Sequence, residues 1–386
     1  MPIDMHQFGF NICPARRSTQ LPHRPGGAVQ VRPPAGRSAT VQHFPPWQEP
    51  LMTLPISPPV FISSEAARAV FRWKDAVAAL QTTYGQPVAA SAVPSRTIAS
   101  GDGAWLRALP AMPPGGRYFG AKLMGIAGHA PAPGIDYVIV LFNRDSSRIA
   151  GFVDGNLVTG FRTAATSAAA LDRLARPGPA RLAVLGSGLE ASMHARAFAS
   201  VRPLTDITVF SPTPARREAF AADLHRDLGI HARAAASPEA AADGADIVLA
   251  AARSLGERPI LFGDWLTPGA TVVSIGSTIP QQREIDVSVV QRSDLIVCDV
   301  LDEVLHDTGD MIAARAAGIE VERVAVSLAD VMSGACAEQL ATSRNRLFKS
   351  VGSGLQDIVV AGLVLDLARE VGLAVPLPIA FDTKPM

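Results

Sequence analysis

The segment RLAVLGSGLEASMHARAF, Arg181 to Phe198, constrains the fold more than any other. An apolar run stops at Gly186, Gly188 follows, and apolar residues then resume at helical spacing. Between a strand and a helix, the first glycine permits a tight turn and the second lets the backbone approach a pyrophosphate. Ala191 lets the helix pack closely on the strand, and the free N–H groups at the helix start face the phosphates. The turn is therefore read as a dinucleotide site formed by Gly186, Ser187, Gly188, Leu189, Glu190 and Ala191.

Around this turn, strands and helices alternate: RLAVLG, SMHARAFASV, DITVFSP, ARREAFAADLH, ADIVLAAA, ATVVSIG, SDLIVCD. Such alternation builds βαβ units and a parallel sheet covered on both faces. The upstream region differs. AWLRALPAM, RYFGAKLMGIAG and DYVIVLFNRDSSRIAGFVDG are short β-rich runs divided by Pro, Gly or turn residues, which predicts an antiparallel or mixed sheet. PVFISSEAARAVFRWKDAVAALQTTYG before them offers a strand, a cap at Ser63 or Ser64, and a helix. The last fifty residues read as an amphipathic helix that returns to this first region. The expected fold is α/β: a Rossmann-type doubly wound parallel sheet inserted into a second, α+β substrate-binding and dimerisation domain. Residues 171–335 form the cofactor domain, residues 55–170 plus 336–386 the second domain, and residues 1–54 an extension.

That extension contains PARRSTQLPHRPGGAVQVRPPAGRS, rich in Pro, Arg and Gly and without periodicity. It reads as disordered, or as the result of an early start with Met52 as the alternative. It is Arg-rich and acid-poor like a transit peptide, but its prolines oppose an amphipathic helix.

Composition narrows the partners. Lysines plus arginines equal aspartates plus glutamates, so neither nucleic acid nor an anionic membrane surface is favoured. No apolar run reaches the roughly 18 residues of a membrane span. Cys13, Cys298 and Cys336 are too few and too scattered for a disulfide framework or a zinc knuckle, which points to a reducing cytoplasm, with Cys298 and Cys336 as small core residues. His129, His194, His225 and His306 show no metal spacing and no metal is expected; His194 reads as a surface or capping residue. The acidic run CDVLDEVLHDTGDM, with Asp299, Asp302, Glu303, Asp307 and Asp310, reads as a solvated face.

The strand DITVFSP ends in Ser211 and Pro212 rather than in a carboxylate, with Thr213, Arg216 and Arg217 beyond. A hydroxyl does not repel a 2′-phosphate and a guanidinium pairs with one, so NADP(H) is preferred with NAD(H) possible. The alternative is that both arginines solvate the next helix. Upstream stand three cations: Arg96 in VPSRT, Lys122 in FGAKLMG and Arg162 in GFRTAA. Lys122 lies among small and apolar residues, where an unpaired ammonium is costly. Arg162 sits at an expected helix start, where the dipole opposes a cation. Singly each suits a structural role; jointly they suit an anion site.

VPSRT, AKLMG, DGNLVTGFRTAATSAAA, AVLGSGLEASMHARAF, GSTIPQQREID and RLFKSVGSGLQD resemble, in order and spacing, the ornithine cyclodeaminase and μ-crystallin family from about residue 58 to the C-terminus. The resemblance implies a homodimer joined through the second domain and NAD(P)(H) chemistry at the C–N bond of a small α-amino or α-imino acid. It implies Arg96 and Arg162 as a carboxylate clamp, Lys122 beside the reacting carbon, and Thr163 near the cofactor. One departure matters: where cyclodeaminases carry an aspartate before the proline, this chain has Thr278 before Pro280. Threonine hydrogen-bonds but is no general base near neutrality. Ala250 to Ala252 likewise stand where relatives carry threonines.

The expected activity is thus an NAD(P)H-dependent imine or ketimine reductase, or the reverse dehydrogenase, with protons passing through Lys122 or a water held by Thr278. The alternatives are a cyclodeaminase using another base, an opine-like or conjugate dehydrogenase, and a non-catalytic NADP-binding protein.

Overall fold

The computed structural model describes residues 58–127, 134–254, 256–379 and 381–382. The expected extension, with Cys13, and His129 lie outside the described residues.

A short strand β1 (Val60–Ile62) leads into α1 (Ser64–Val70), whose Ala66 N–H donates to the Ser63 hydroxyl, so Ser63 is the cap. Helix α2 (Trp73–Tyr84) follows, then β2 (Thr97–Gly101), β3 (Ala104–Ala111), β4 (Tyr118–Ala127), β5 (Ile135–Asn143) and β6 (Ile149–Asp154). Antiparallel pairing joins β2 through β6 in succession. Asp154 accepts from the Asn156 N–H and starts α3 (Gly155–Leu174). Its alanines let neighbouring helices approach closely, and Ala164, Ala165, Ala168, Ala169 and Ala170 are fully buried.

The alternating region follows: β7 (Ala180–Leu185), α4 (Leu189–Val201), β8 (Leu204–Phe210), α5 (Pro214–Leu228), β9 (His231–Ala234), α6 (Pro238–Ala242), β10 (Ile247–Ala250), β11 (Thr271–Ser274), α7 (Val287–Gln291) and β12 (Leu295–Cys298). Next come α8 (Leu301–Asp307), α9 (Gly309–Ala316), β13 (Ala325–Ser327), α10 (Leu328–Ser333), α11 (Ala337–Thr342), β14 (Arg346–Lys349), α12 (Gly354–Glu370) and β15 (Val375–Pro376). These strands, except β15, form an eight-stranded all-parallel sheet in the order β13-β12-β14-β11-β10-β7-β8-β9. The order reverses between β7 and β10, and ligands of such sheets bind outside the strand C-termini at that reversal. The central strands are buried on both faces and read as continuous apolar runs: β10, β11 and β12 show no exposed residue.

The other sheet is mixed, in the order β15-β1-β6-β5-β4-β3-β2, and β1 pairs with β6 in parallel. The C-terminal region departs from expectation twice. Residues 346–349 pair with β11 and β12 in the parallel sheet, so the chain leaves that sheet only after Lys349 and not at residue 336. Helix α12 is also not amphipathic. Leu355, Ile358, Val360, Val364 and Leu365 are buried on all sides between the mixed sheet and α2 and α3. Each such side chain contributes about 1.5–3 kcal/mol when withdrawn from water.

Among the described residues, no helix is long and apolar enough to cross a membrane. Nor does any group of three or more His, Cys, Asp or Glu side chains there offer a metal site.

Candidate active site

Lys122, Arg162, Arg96, Thr163, Glu190 and Thr278 all line one cavity of about 440 Å³ at the C-terminal edge of the parallel sheet. Segments 350–352 after β14, Ile275 and Thr278 after β11, and Arg253 after β10 close one side of it; β3, β4 and β5 of the mixed sheet close the other.

Lys122 is 2% exposed, and its Nζ donates to Asp357 Oδ1 at 2.9 Å. Arg162 Nε donates to the same oxygen at 2.9 Å, and its Nη1 to Gln356 Oε1 at 2.9 Å. Two cations therefore share one carboxylate, itself wholly buried in the first turn of α12. Burial pushes the Lys122 pKa down to about 8; Asp357 supports the charged form, while Arg162 and Arg96 oppose it. The helix-start argument for Arg162 does not hold: α3 begins at Gly155, so the side chain leaves the helix two turns in, and what retains it is Asp357 and Gln356. Gly352 has φ +78, and a Cβ there would stand 2.3 Å from Arg162 Nη1, so a glycine is required beneath the guanidinium.

Arg96 donates through Nη2 to Glu303 and to the carbonyls of Val351 and Gly352. Its Nε and Nη1 have no protein partner among the described residues. Thr278 donates its hydroxyl to Gln282 Oε1 at 3.2 Å, and Thr163 donates to the Thr159 carbonyl at 2.7 Å.

The acidic run is not a solvated face throughout. Asp302 and Asp307 are exposed, but Asp299 is 8% and Asp310 1% exposed. Asp299 accepts from Ser350 Oγ, from the N–H groups of Val351 and Gly352 and from Gln356 Nε2, and so shapes the loop under Arg162. Asp310 binds the N–H groups of Glu284 and Ile285 and pairs with buried Lys349 at 3.1 Å. Glu284 in turn accepts from Ala252, Ile275 and Gly276 N–H and pins the loops after β10 and β11 together; burial pushes its pKa up to about 7. Backbone donors left by the loops at strand ends select these carboxylates.

His194 is likewise buried rather than on the surface. Its Nδ1 lies 2.7 Å from the Glu190 carbonyl, which can only accept, so Nδ1 carries the proton and Nε2 accepts from Ser167 Oγ at 3.0 Å. Burial pushes its pKa down to about 4.

The glycine turn fits a dinucleotide. Gly186 has φ +132, and a Cβ there would lie 2.7 Å from the Ala251 carbonyl oxygen; beside Gly188 the space is open. Ala191 is fully buried under the sheet–helix contact. Ser187 and Leu189 complete the turn, and Leu189 is exposed. Glu190, placed with the cofactor by sequence, also lines the substrate cavity, and burial pushes its pKa up to about 7. Ser211, Thr213 and Arg216 lie apart, at the end of β8 and the start of α5. Ser211 is 5% exposed; Thr213 and Arg216 are exposed. Arg217 is held by the Ser211 carbonyl at 3.1 Å and by the Phe210 ring.

Sequence reasoning missed Asp357, Gln356, Asp299, Glu303, Arg107 and Tyr137. The available signal for Asp357 was an acid opening the most apolar helix of the chain, in SGLQDIVVAGLVL.

The model of the ornithine cyclodeaminase/mu-crystallin family matches residues 78–372. A Δ1-pyrroline-2-carboxylate reductase of Paracoccus denitrificans is 31% identical over 321 residues, covering 80% of this chain and 96% of the relative. The ketimine reductase mu-crystallin of Mus musculus is 31% identical over 228 residues, 59% of this chain and 68% of the relative. Among solved structures, a probable ornithine cyclodeaminase of Bordetella pertussis superposes with TM-score 0.72 at 29% identity, covering 83% of this chain and all of that one. At fold level the iminosuccinate reductase of Paracoccus denitrificans, solved with NAD+, has TM-score 0.74 at 22% identity over 83% of this chain and all of that one. The chain belongs to the ornithine cyclodeaminase/mu-crystallin family.

Proposed function

We propose that this chain reduces the C=N bond of a small α-imino acid with NAD(P)H and, in reverse, oxidises the corresponding α-amino acid. It is an NAD(P)(H)-dependent oxidoreductase of C–N bonds, like the imine reductases it resembles. The observation that carries this reading is the sharing of Asp357 by Lys122 and Arg162 inside the cavity that adjoins the cofactor turn. The pair retains one positive charge in excess, which suits a substrate carboxylate. Arg162 and the free N–H groups of Arg96 hold that carboxylate, and the cavity walls orient the imine. When bound, the reduced nicotinamide supplies the hydride. Lys122, with a pKa of about 8, is mostly an ammonium at neutral pH and donates a proton to the imine nitrogen; Thr278 holds a water that can replenish it.

The preference for NADP(H) rests on Ser211 standing where a carboxylate would repel a 2′-phosphate, and on Arg216 being exposed, with no side-chain partner among the described residues. A homodimer is supported by the face of the mixed sheet turned away from Lys122. There Leu106 is 47% exposed, and Phe119, Leu123, Val138 and Phe142 are half-buried. Leu106→Lys separates the subunits in light scattering if that face is the interface.

The test is NADPH oxidation with Δ1-pyrroline-2-carboxylate, Δ1-piperideine-2-carboxylate and an acyclic imine formed from a keto acid and ammonia, alongside an ornithine-to-proline assay. Imine-dependent oxidation without proline from ornithine is expected. Proline and ammonia from ornithine would establish cyclodeamination instead, and NADPH binding with no turnover would make the chain a non-catalytic member.

A further inference from the structure

Arg107 lines the same cavity and is used by no step above. On β3 it pairs with Met124 of β4, which pairs with Tyr137 of β5; Leu109, Lys122 and Ile139 form the neighbouring row on the same face. Same-face residues of a strand repeat every ~7 Å. Arg107 therefore stands one row beyond the ammonium that faces the reacting centre.

Its charge has no ion-pair partner among the described residues. Among them Arg107 also makes no hydrogen bond, and its Nε is buried without a partner. The Trp105 ring lies 5.2 Å from it, and Glu303, already bonded to Arg96, acts on it only from beyond ion-pair distance while Arg96 repels it. A guanidinium does not shed its proton to escape burial, so a half-buried one without a partner calls for an anion. The other charges around the cavity are accounted for. Glu303 neutralises Arg96, Glu257 pairs with Arg253 at 3.1 Å, and Asp357 serves both Lys122 and Arg162. Glu190, the remaining acid, has its pKa raised to about 7 by burial and is part-protonated at neutrality. Its partial negative charge acts on Arg162 and Lys122, so the positive charge at Arg107 is the one it does not offset.

We propose that the substrate is an α-imino dicarboxylic acid, with its α-carboxylate at Arg162 and its side-chain carboxylate on Arg107. This rests on the reductase reading above. Met124 and Tyr137, in the row of Arg107, offer the apolar wall that a short methylene chain needs. The reaction balances as before: the C=N carbon gains a hydride, the nitrogen gains a proton, and the second carboxylate is unchanged.

Two measurements on the full chain test this. In NADPH oxidation with ammonia, oxaloacetate or 2-oxoglutarate is expected to outperform pyruvate and 2-oxobutyrate. Arg107→Met should then lower kcat/KM for the dicarboxylic partner by about 10- to 100-fold, the worth of a charge-assisted hydrogen-bonded pair, and lower it far less for the monocarboxylic one. Equal losses for both, or a wild-type preference for monocarboxylates, overturn the proposal. The second measurement is calorimetric binding of succinate against butyrate to the NADPH-loaded protein. Tighter succinate binding that is lost in Arg107→Met upholds it, and equal binding overturns it even if no imine is turned over, an outcome that would by itself sink only the reductase reading.

Discussion

Asp357 and Lys122, 235 residues apart in sequence, meet at 2.9 Å inside the molecule, and this contact joins the last long helix to the middle of the mixed sheet. It supports the charged form of a lysine whose pKa burial pushes down to about 8.

Replacing that lysine separates chemistry from binding. Lys122→Met is expected to lower kcat by about 10²- to 10⁴-fold, the usual worth of general acid catalysis. The Kd for NADPH, read by fluorescence titration, should change little because the glycine turn is untouched. Activity within threefold of wild type would remove Lys122 from the reaction.

Changing the carboxylate acts through pH. In the proposed reaction Lys122 works as an ammonium, so kcat/KM should fall as pH rises through about 8. Asp357→Asn removes the charge that supports the protonated form, so the fall should begin at lower pH. Leaving two cations without their shared partner should also cost about 3–5 kcal/mol of stability in urea unfolding. A profile that stays in place means another group sets that limb.

His194 makes the fold acid-sensitive. Its folded pKa, about 4, lies below its ordinary value of 6.5, so the unfolded chain binds the proton more tightly. The stability contributed is full above about 6.5 and is lost as pH falls toward about 4, on the order of 3 kcal/mol in all. Glu284 and Glu190, with raised pKa values, slope the other way between 4.5 and about 7, so the comparison must be between wild type and His194→Asn. Between pH 7 and pH 5 the urea midpoint should fall further in wild type than in His194→Asn; if the two proteins lose stability in parallel, His194 is not the acid-labile group.

Gly186→Ala tests the cofactor turn. A φ of +132 disfavours any side chain, and the added Cβ would press on the Ala251 carbonyl. The strain, of order 1–3 kcal/mol, is expected as weaker NADPH binding and a lower thermal midpoint. Unaltered NADPH affinity would show that the turn does not carry the cofactor.

Much of the fold could be read along the chain because it is written in local patterns. The glycine turn between Leu185 and Leu189 lies where a strand gives way to a helix, and the βα alternation marks the parallel sheet. The short runs before residue 155 make the mixed sheet. Lys122 stood out among small and apolar residues and Arg162 at an expected helix start, and with Arg96 they line one cavity. Asp357 did not stand out, because an acid in the first turn of a helix also reads as a favourable dipole partner. Nor did β14, whose four residues, Arg346 to Lys349, carry no pattern that names a parallel sheet as their place.

Residues a few positions apart were enough to specify the periodicities, the glycine turn and the candidate cations. Which charges are paired and which are left over emerges only when the chain has folded. Asp357 reaches Lys122 and Arg162, Glu303 reaches Arg96, and Arg107 has no ion-pair partner among the described residues. Charge in a low-dielectric interior is governed by the few ångströms to its neighbours, and those distances exist only once distant segments have packed together.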